Sequence, residues 1–213
     1  MQLTKYTHAC VRLEDGDRSL VIDPGSFSEV EEALDGVHDV LLTHEHADHV
    51  DTGALARAVA GDSSLRIWAP AAVTAQLGDL GDHVSTVGPG ESFNTAGFEV
   101  TTHGGQHALI HTSIPVVANV GFNVDGLVFH PGDSLEVPAI DVETLLVPVH
   151  APWSDVGRVI DFLVGVRPRQ AYNVHDGLLN ERGRGLVTGH LQRLGARHGV
   201  DYRPLDPREQ VTL

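Results

Sequence analysis

Residues 39–50 read DVLLTHEHADHV, a compact apolar run followed at once by His44, Glu45, His46, Asp48 and His49. Groups that bind cations or carry protons are packed so densely here that something rigid must hold them. The apolar run has the length of a buried strand, and strand ends are where a scaffold positions site loops. If the backbone stays extended through His46, residues two apart point the same way. His44 and His46 then share a face and Glu45 turns aside. Asp48 and His49 follow the bend into the next helix and address a second point. Imidazoles with a carboxylate suit zinc, manganese or iron, whereas calcium prefers oxygen. A helical zinc-protease motif needs histidine at position 48, where Asp48 stands. A polar loop that only caps a helix, through Asp51, has no need of three histidines.

Around this feature, β-rich stretches alternate with helices. ACVRLEDGDRSLVIDPG reads as a hairpin about Asp15-Gly16-Asp17, with Asp23 at a strand end before a Pro-Gly breaker. EVEEAL, DTGALARAVAG, AAVTAQLG, SDVGRVIDFLVGVRP and LVTGHLQRLGARHG read as helices. HDVLLT, LRIWAP, TLLVPV and QAYNVHDG read as strands, and PVVANVGFNVDGLVFHPGD as a hairpin turning at Asp125-Gly126. No repeat or linker interrupts the 213 residues. One α/β domain spanning 1–213 is expected, with sheets packed on each other and helices covering them.

Lys and Arg number 14 and Asp and Glu 29, so 14 − 29 = −15. Such a chain repels phosphate backbones, and ERGRGLVTGHLQRLGARHG reads as the solvated face of a helix rather than a nucleic-acid site. No apolar stretch approaches the roughly 18 residues of a membrane span. The first residues lack the build of a secretory signal, and the lone Cys10 has no internal disulfide partner. A cytoplasmic protein is expected, without nucleic-acid or membrane partners and with homo-oligomerisation left open.

Further along, THGGQHALIH offers His103, His107 and His111. Gly104-Gly105 argues against a helix there, and His107, placed after a Gly-Gly turn, is preferred to His103 as a ligand. Asp133 in PGD and His175 before Asp176-Gly177 sit where strands give way to loops. His8, His130 and His150 lie beside strand edges or site loops. His150 is a candidate catalytic residue, contacting substrate or stabilising the leaving group, and His8 and His130 are candidates for supporting the site. Trp153 is either a wall of the cleft or a packing residue for the following helix.

His44-x-His46-x-Asp48-His49 behind an apolar strand resembles the signature of the metallo-β-lactamase superfamily. VIDPG, GGQHA, FHPGDS and YNVHDG resemble that superfamily's other motifs and occur in the expected order from Asp23 to His175. The chain looks most similar to the branch of small metal-dependent hydrolases that includes ascorbate-phosphate lactonase-like enzymes. The resemblance implies a four-layer αββα sandwich with two divalent cations at one edge, zinc first, manganese or iron otherwise. It implies His44, His46 and His107 on one cation, Asp48, His49 and His175 on the other, Asp133 bridging, and Asp23 behind them orienting ligands. It also implies a metal-activated hydroxide attacking an ester, lactone or phosphoester, with Asp48 relaying a proton.

Related activities fit less well. A nuclease or phosphodiesterase of the same superfamily is opposed by the acidic balance and by the missing nucleic-acid-clamping domain. A di-iron oxidoreductase of this fold replaces one motif histidine with a carboxylate and carries a flavin domain. A non-catalytic metal-binding module would be expected to have lost ligands, and a true β-lactamase to be exported. Arg12, Arg158 and Arg182 are the cations to look for in a cleft built for phosphate.

Overall fold

A computed structural model describes all 213 residues. Its first sheet has the order β14-β1-β2-β3-β4-β5-β6. These strands are β1 (Gln2–Lys5), β2 (Val11–Asp15), β3 (Arg18–Ile22), β4 (Asp39–Leu41), β5 (Arg66–Ala69), β6 (Val84–Thr86) and β14 (Gln210–Thr212). The second sheet has the order β13-β12-β11-β10-β9-β8-β7. It contains β7 (Ser92–Thr95), β8 (Phe98–Gln106), β9 (Ala118–Val124), β10 (Val128–His130), β11 (Thr144–Pro148), β12 (Gln170–Val174) and β13 (Asp201–Arg203). In each sheet an antiparallel half passes into a parallel half, at β3 in the first and β10 in the second.

Strand alternation builds the layers. Leu20, Ile22 and Leu41 point inward and meet Phe98, Phe122 and Leu146 in a core between the sheets. Val21, Val40 and Leu42 point outward and pack against α1 (Val30–Leu34) and α2 (Thr52–Gly61). On the second sheet Leu145 and Val147 face α4 (Val156–Val166) and α5 (Glu181–Arg197). HDVLLT and TLLVPV are continuous apolar runs because both faces of their strands are buried. Helix, sheet, sheet and helix form the expected αββα sandwich, with α3 (Ala71–Gln76) and a 3-10 turn at Gly78–His83 completing the first helical layer.

Local signals fall where expected. Asp15 pairs with Arg18 across Gly16-Asp17, and Val124 with Val128 across a turn in which Asp125 and Gly126 have φ of 52° and 66°. Asp51 caps α2 by accepting from the Ala54 N–H. β1, β13, β14 and the 3-10 turn were not anticipated. Two backbone expectations need correction. β4 stops at Leu41, so His44 to His46 are not extended strand. Gly104-Gly105 is no turn but lies within β8, paired to Val120 and Asn119 of β9, and His107 follows the strand directly. Lys5, fully buried on β1, donates to Asp176 at 2.9 Å and fastens the first sheet behind His175. No helix is long and apolar enough to cross a membrane.

Candidate metal centre

The loops after β3, β4, β8, β10 and β12 reach the same edge of the sandwich and deliver Asp23, His44 to His49, His107, Asp133 and His175 in turn. Two clusters form there. The donor atoms of His44, His46, His107 and Asp133 lie within 4.8 Å of one another, as do those of His8, Asp48, His49 and His175. Asp133 joins them. Its Oδ1 is 3.1 Å from His49 Nε2, and its Oδ2 is 3.1 Å from His175 Nε2 and 3.2 Å from His107 Nε2. Asp48 Oδ2 is 3.6 Å from His175 Nε2 and 4.0 Å from His49 Nε2.

Because β4 ends before His44, the loop that carries His44 and His46 is fastened instead by Asp23. Asp23 accepts from the Thr43 N–H at 2.8 Å and the Thr43 hydroxyl at 2.7 Å. Gly25 lets this loop touch the motif: a Cβ there would stand 1.9 Å from the Asp48 carbonyl oxygen. His8, Asp23 and His175 all have positive φ, 67°, 53° and 59°. This unfavourable backbone is tolerated because the surroundings fix it.

Hydrogen-bond partners assign the ring protons. Thr43 Oγ1 spends its proton on Asp23, so it accepts from His44 Nδ1 at 3.0 Å. His49 Nδ1–H donates to Asp23 at 2.7 Å, His107 Nδ1–H to the Ala108 carbonyl at 2.6 Å, and His175 Nδ1–H to the His150 carbonyl at 2.6 Å. Four buried histidines thus turn their Nε2 atoms toward Asp133. His8 is reversed. Its Nδ1 accepts from the Gly177 N–H at 3.2 Å, so its proton lies on Nε2 and is donated to Asp48 at 3.1 Å. Proximity puts His8 in the second cluster, but its Nε2 proton is turned to Asp48.

Charges follow the same plan. Burial alone would lower the His49 imidazole, but the carboxylates of Asp133 and Asp23 outweigh it and hold it well above the ordinary range. Burial drives His44 well below that range. Burial would raise Asp133, yet His49 and His175 hold it well below the usual carboxylate range. Asp48, also opposed by burial, is brought down to about 2 by the His8 hydrogen bond and by His49.

His49 Nε2, His107 Nε2, His175 Nε2 and Asp133 Oδ1 are buried with no hydrogen-bond partner. Their 3.1–3.2 Å approaches lack hydrogen-bond alignment. Unpaired buried polar atoms are costly, and four of them gathered at Asp133, where the two clusters meet, fit cations. Nitrogens about 2.0–2.1 Å from a tetrahedral cation stand roughly 3.3 Å apart. His44 Nε2 and His46 Nδ1 are separated by 3.1 Å.

The remaining candidates are placed as follows. His103 lies on the far stretch of β8, bonded to Thr101 at 2.9 Å and edge-on to Phe129, in neither cluster. His130 is buried, donating to the Ala9 carbonyl at 2.9 Å, 4.0 Å from Asp23. His150 enters through its carbonyl, while its imidazole lies in neither cluster and does not line the cleft. Trp153 is a wall of the cleft, and the bond it makes to the following helix is through its backbone, whose carbonyl accepts from Arg158 at the start of α4. Its indole N–H donates to Asp133 Oδ2 at 3.0 Å. Sequence reasoning missed Thr43 and Asn119. The Asn119 side chain accepts from the Asp133 N–H at 2.9 Å and donates to the Pro131 carbonyl at 2.8 Å. A lone asparagine inside a strand gives no signal of that role.

Glu45 is partly exposed and in neither cluster. Glu45→Gln is expected to leave metal content unchanged and hydrolysis within about twofold, as for a surface substitution. His103→Ala is expected to keep full metal content, and His107→Ala to lose metal, by elemental analysis of the purified variants.

Known proteins give the arrangement a family. The profile described as the Beta-lactamase superfamily domain matches residues 2–175, which contain every residue of both clusters. Protein Rv0786c of Mycobacterium tuberculosis is 33% identical over the whole of both chains. A UPF0173 metal-dependent hydrolase of Rhizobium etli is 29% identical over 66% of this chain and 62% of its own length. The metallo-beta-lactamase fold protein YhfI of Bacillus subtilis superposes with a TM-score of 0.73 at 16% identity, covering 99% of this chain and 98% of the other. The chain belongs to the metallo-β-lactamase superfamily.

Proposed function

We propose that the protein hydrolyses a carbonyl ester or lactone of a small molecule at a two-cation centre. The observation that carries this reading is the set of buried Nε2 atoms converging on Asp133, each with its Nδ1 proton committed elsewhere. His44, His46 and His107 would hold one cation, Asp48, His49 and His175 the other, with Asp133 shared. The nitrogen and oxygen donors suit zinc first, with manganese or iron as alternatives. When bound, such ions supply a water activated at neutral pH and an electrophile for developing oxyanion charge.

The chain's own residues do the rest. Asp48 is ionised, held by His8 and open to the cleft, so it can take the attacking water's proton and pass it to the leaving group. Asp23 and the Ala108 and His150 carbonyls fix the rings, so no side chain must reorganise during reaction. A carbonyl is favoured over a phosphoryl centre because no Lys or Arg lines the cleft. Arg12 is tied to the Asp35 carbonyl and Glu14, Arg158 to the Trp153 carbonyl, and Arg182 is exposed.

The test is elemental analysis of the purified protein beside turnover of ester, lactone and phosphodiester panels, with and without a chelator. Two equivalents of metal and chelator-sensitive ester or lactone cleavage are expected. Fully metallated protein that cleaves nothing, or turnover that survives complete metal removal, would end the reading.

Trp153→Phe keeps the apolar wall but removes the N–H on Asp133. We expect metal affinity to fall about 10–100-fold, the usual effect of losing a partner behind a ligand. Competition against a chromogenic chelator would measure it, and unchanged affinity would show that the bond is incidental.

A further inference from the structure

We propose that the cleft over the metal centre is a subsite for an extended, uncharged hydrocarbon chain, so that the preferred ester or lactone carries a long acyl tail. This rests on the hydrolase reading for the bond broken but on separate residues for the tail. The cleft, of about 300 Å³, is walled by Phe27, Ile110, Pro152, Trp153 and Leu178, with Asp48, Asp133 and His175 at its base. Phe27, Ile110 and Leu178 are 46%, 38% and 49% exposed, and they come from the loops after β3, β8 and β12. The loop after β8 also leaves Leu109, Ile114 and Val116 exposed. Of the nine exposed large apolar side chains, six therefore lie on three loops leaving this edge. Scattered singly, such residues need no explanation; gathered at a site mouth, they mark a binding surface.

The charge pattern selects among occupants. The cleft walls hold no Lys or Arg, and the chain carries a net charge of −15, so an anionic group along the walls, away from the base, finds no counter-charge. The cleft's size is that of a small-molecule pocket. An acyl chain laid along Phe27, Ile110 and Leu178 places its carbonyl end at the base, where Asp48 and Asp133 stand.

The experiment compares 4-nitrophenyl acetate, butyrate and octanoate on the metal-loaded protein. kcat/KM should rise at least about tenfold from acetate to octanoate, the worth of roughly two fully buried methylenes. Leu178→Asp and Ile110→Asp, both at exposed loop positions, should each cut the octanoate-to-acetate ratio at least about fivefold. Leu186→Asp on α5, 69% exposed and outside the cleft, should leave the ratio unchanged. A second readout needs no turnover. In a Trp68→Phe background, 1-octanol should shift Trp153 emission of the chelated protein at concentrations where 1-butanol does not.

The two readings fail separately. If no ester is cleaved but octanol still shifts Trp153, the hydrocarbon subsite stands and the hydrolase reading falls. If acetate and octanoate are cleaved equally and octanol has no effect, the subsite is overturned and the hydrolase reading stands. Sedimentation with phosphatidylcholine vesicles without chain-length preference would also overturn it, in favour of a membrane-facing rim.

Discussion

Asp133→Asn is expected to reduce the metal content, from the two equivalents proposed, to one or none and to lower kcat/KM well beyond about a hundredfold. That exceeds the roughly 10–100-fold cost of losing a partner behind a ligand, because Asp133 reaches donors of both clusters. The substitution is nearly isosteric and keeps the backbone bond to Asn119, so the loop should remain in place. A separate signature appears in the metal-free protein. The Asp133 carboxyl is held well below its ordinary value, so its stabilisation is present above the unfolded carboxylate pKa of about 4 and is lost as pH falls through its folded value. The His49 imidazole is raised, so its stabilisation is present below about 6.5 and is lost as pH climbs through its folded value. Wild-type protein in chelator should therefore lose stability in strong acid and again above the His49 value. Asp133→Asn should flatten both limbs of a melting-temperature profile. Because cations compete with the His49 proton, metal affinity should rise with pH. An Asp133→Asn variant that kept two equivalents of metal and most of its turnover would remove Asp133 from the centre of the site.

How much of this was legible in the sequence depended on the scale of each signal. His44, His46, Asp48 and His49 announce themselves because four donors crowd six positions. Yet they do not sit on an extended strand. The strand ends at Leu41, and the loop is fastened by Asp23 gripping Thr43 and by Gly25 lying against Asp48. Those contacts span twenty residues or more and leave no local periodicity. Local turn signals single out His107, Asp133 and His175, but only the order of motifs joins them to the same site, since spacing cannot say which loops share a sheet edge. β13 and β14 have three residues and one buried side chain each, too short to display alternation, and exist because longer strands pair with them. The opposite proton placements of His8 and His175 depend on one N–H and one carbonyl brought up from afar. The apolar wall was equally hidden: Phe27, Ile110 and Leu178 are ordinary loop residues until three loops meet.

Asp23→Ala carries the largest expected cost in stability. Asp23 is fully buried and accepts from the Thr43 N–H, the Thr43 hydroxyl and His49 Nδ1–H at 2.7–2.8 Å. Alanine leaves three buried donors without an acceptor, each worth about 1–3 kcal/mol. It must also adopt a φ of 53°, which aspartate and asparagine tolerate better than alanine. A loss of about 3–5 kcal/mol follows, allowing for relaxation and local water entry. In a chain of this size it should lower the melting temperature by roughly 10–15 °C. Asp23→Asn separates scaffold from chemistry. Its side-chain oxygen can still accept from Thr43 and it keeps the left-handed backbone, but its amide N–H₂ faces the remaining donors. We expect Asn to recover part of the melting temperature while the His49 ring, no longer held by a carboxylate, binds its cation more weakly. Chelated protein scanned by calorimetry, beside metal titration of both variants, distinguishes the two contributions. If alanine melted within a degree or two of wild type, the Asp23 contacts would be unimportant to the fold. If Asn bound metal as tightly as Asp, the carboxylate's charge would have no part in orienting His49.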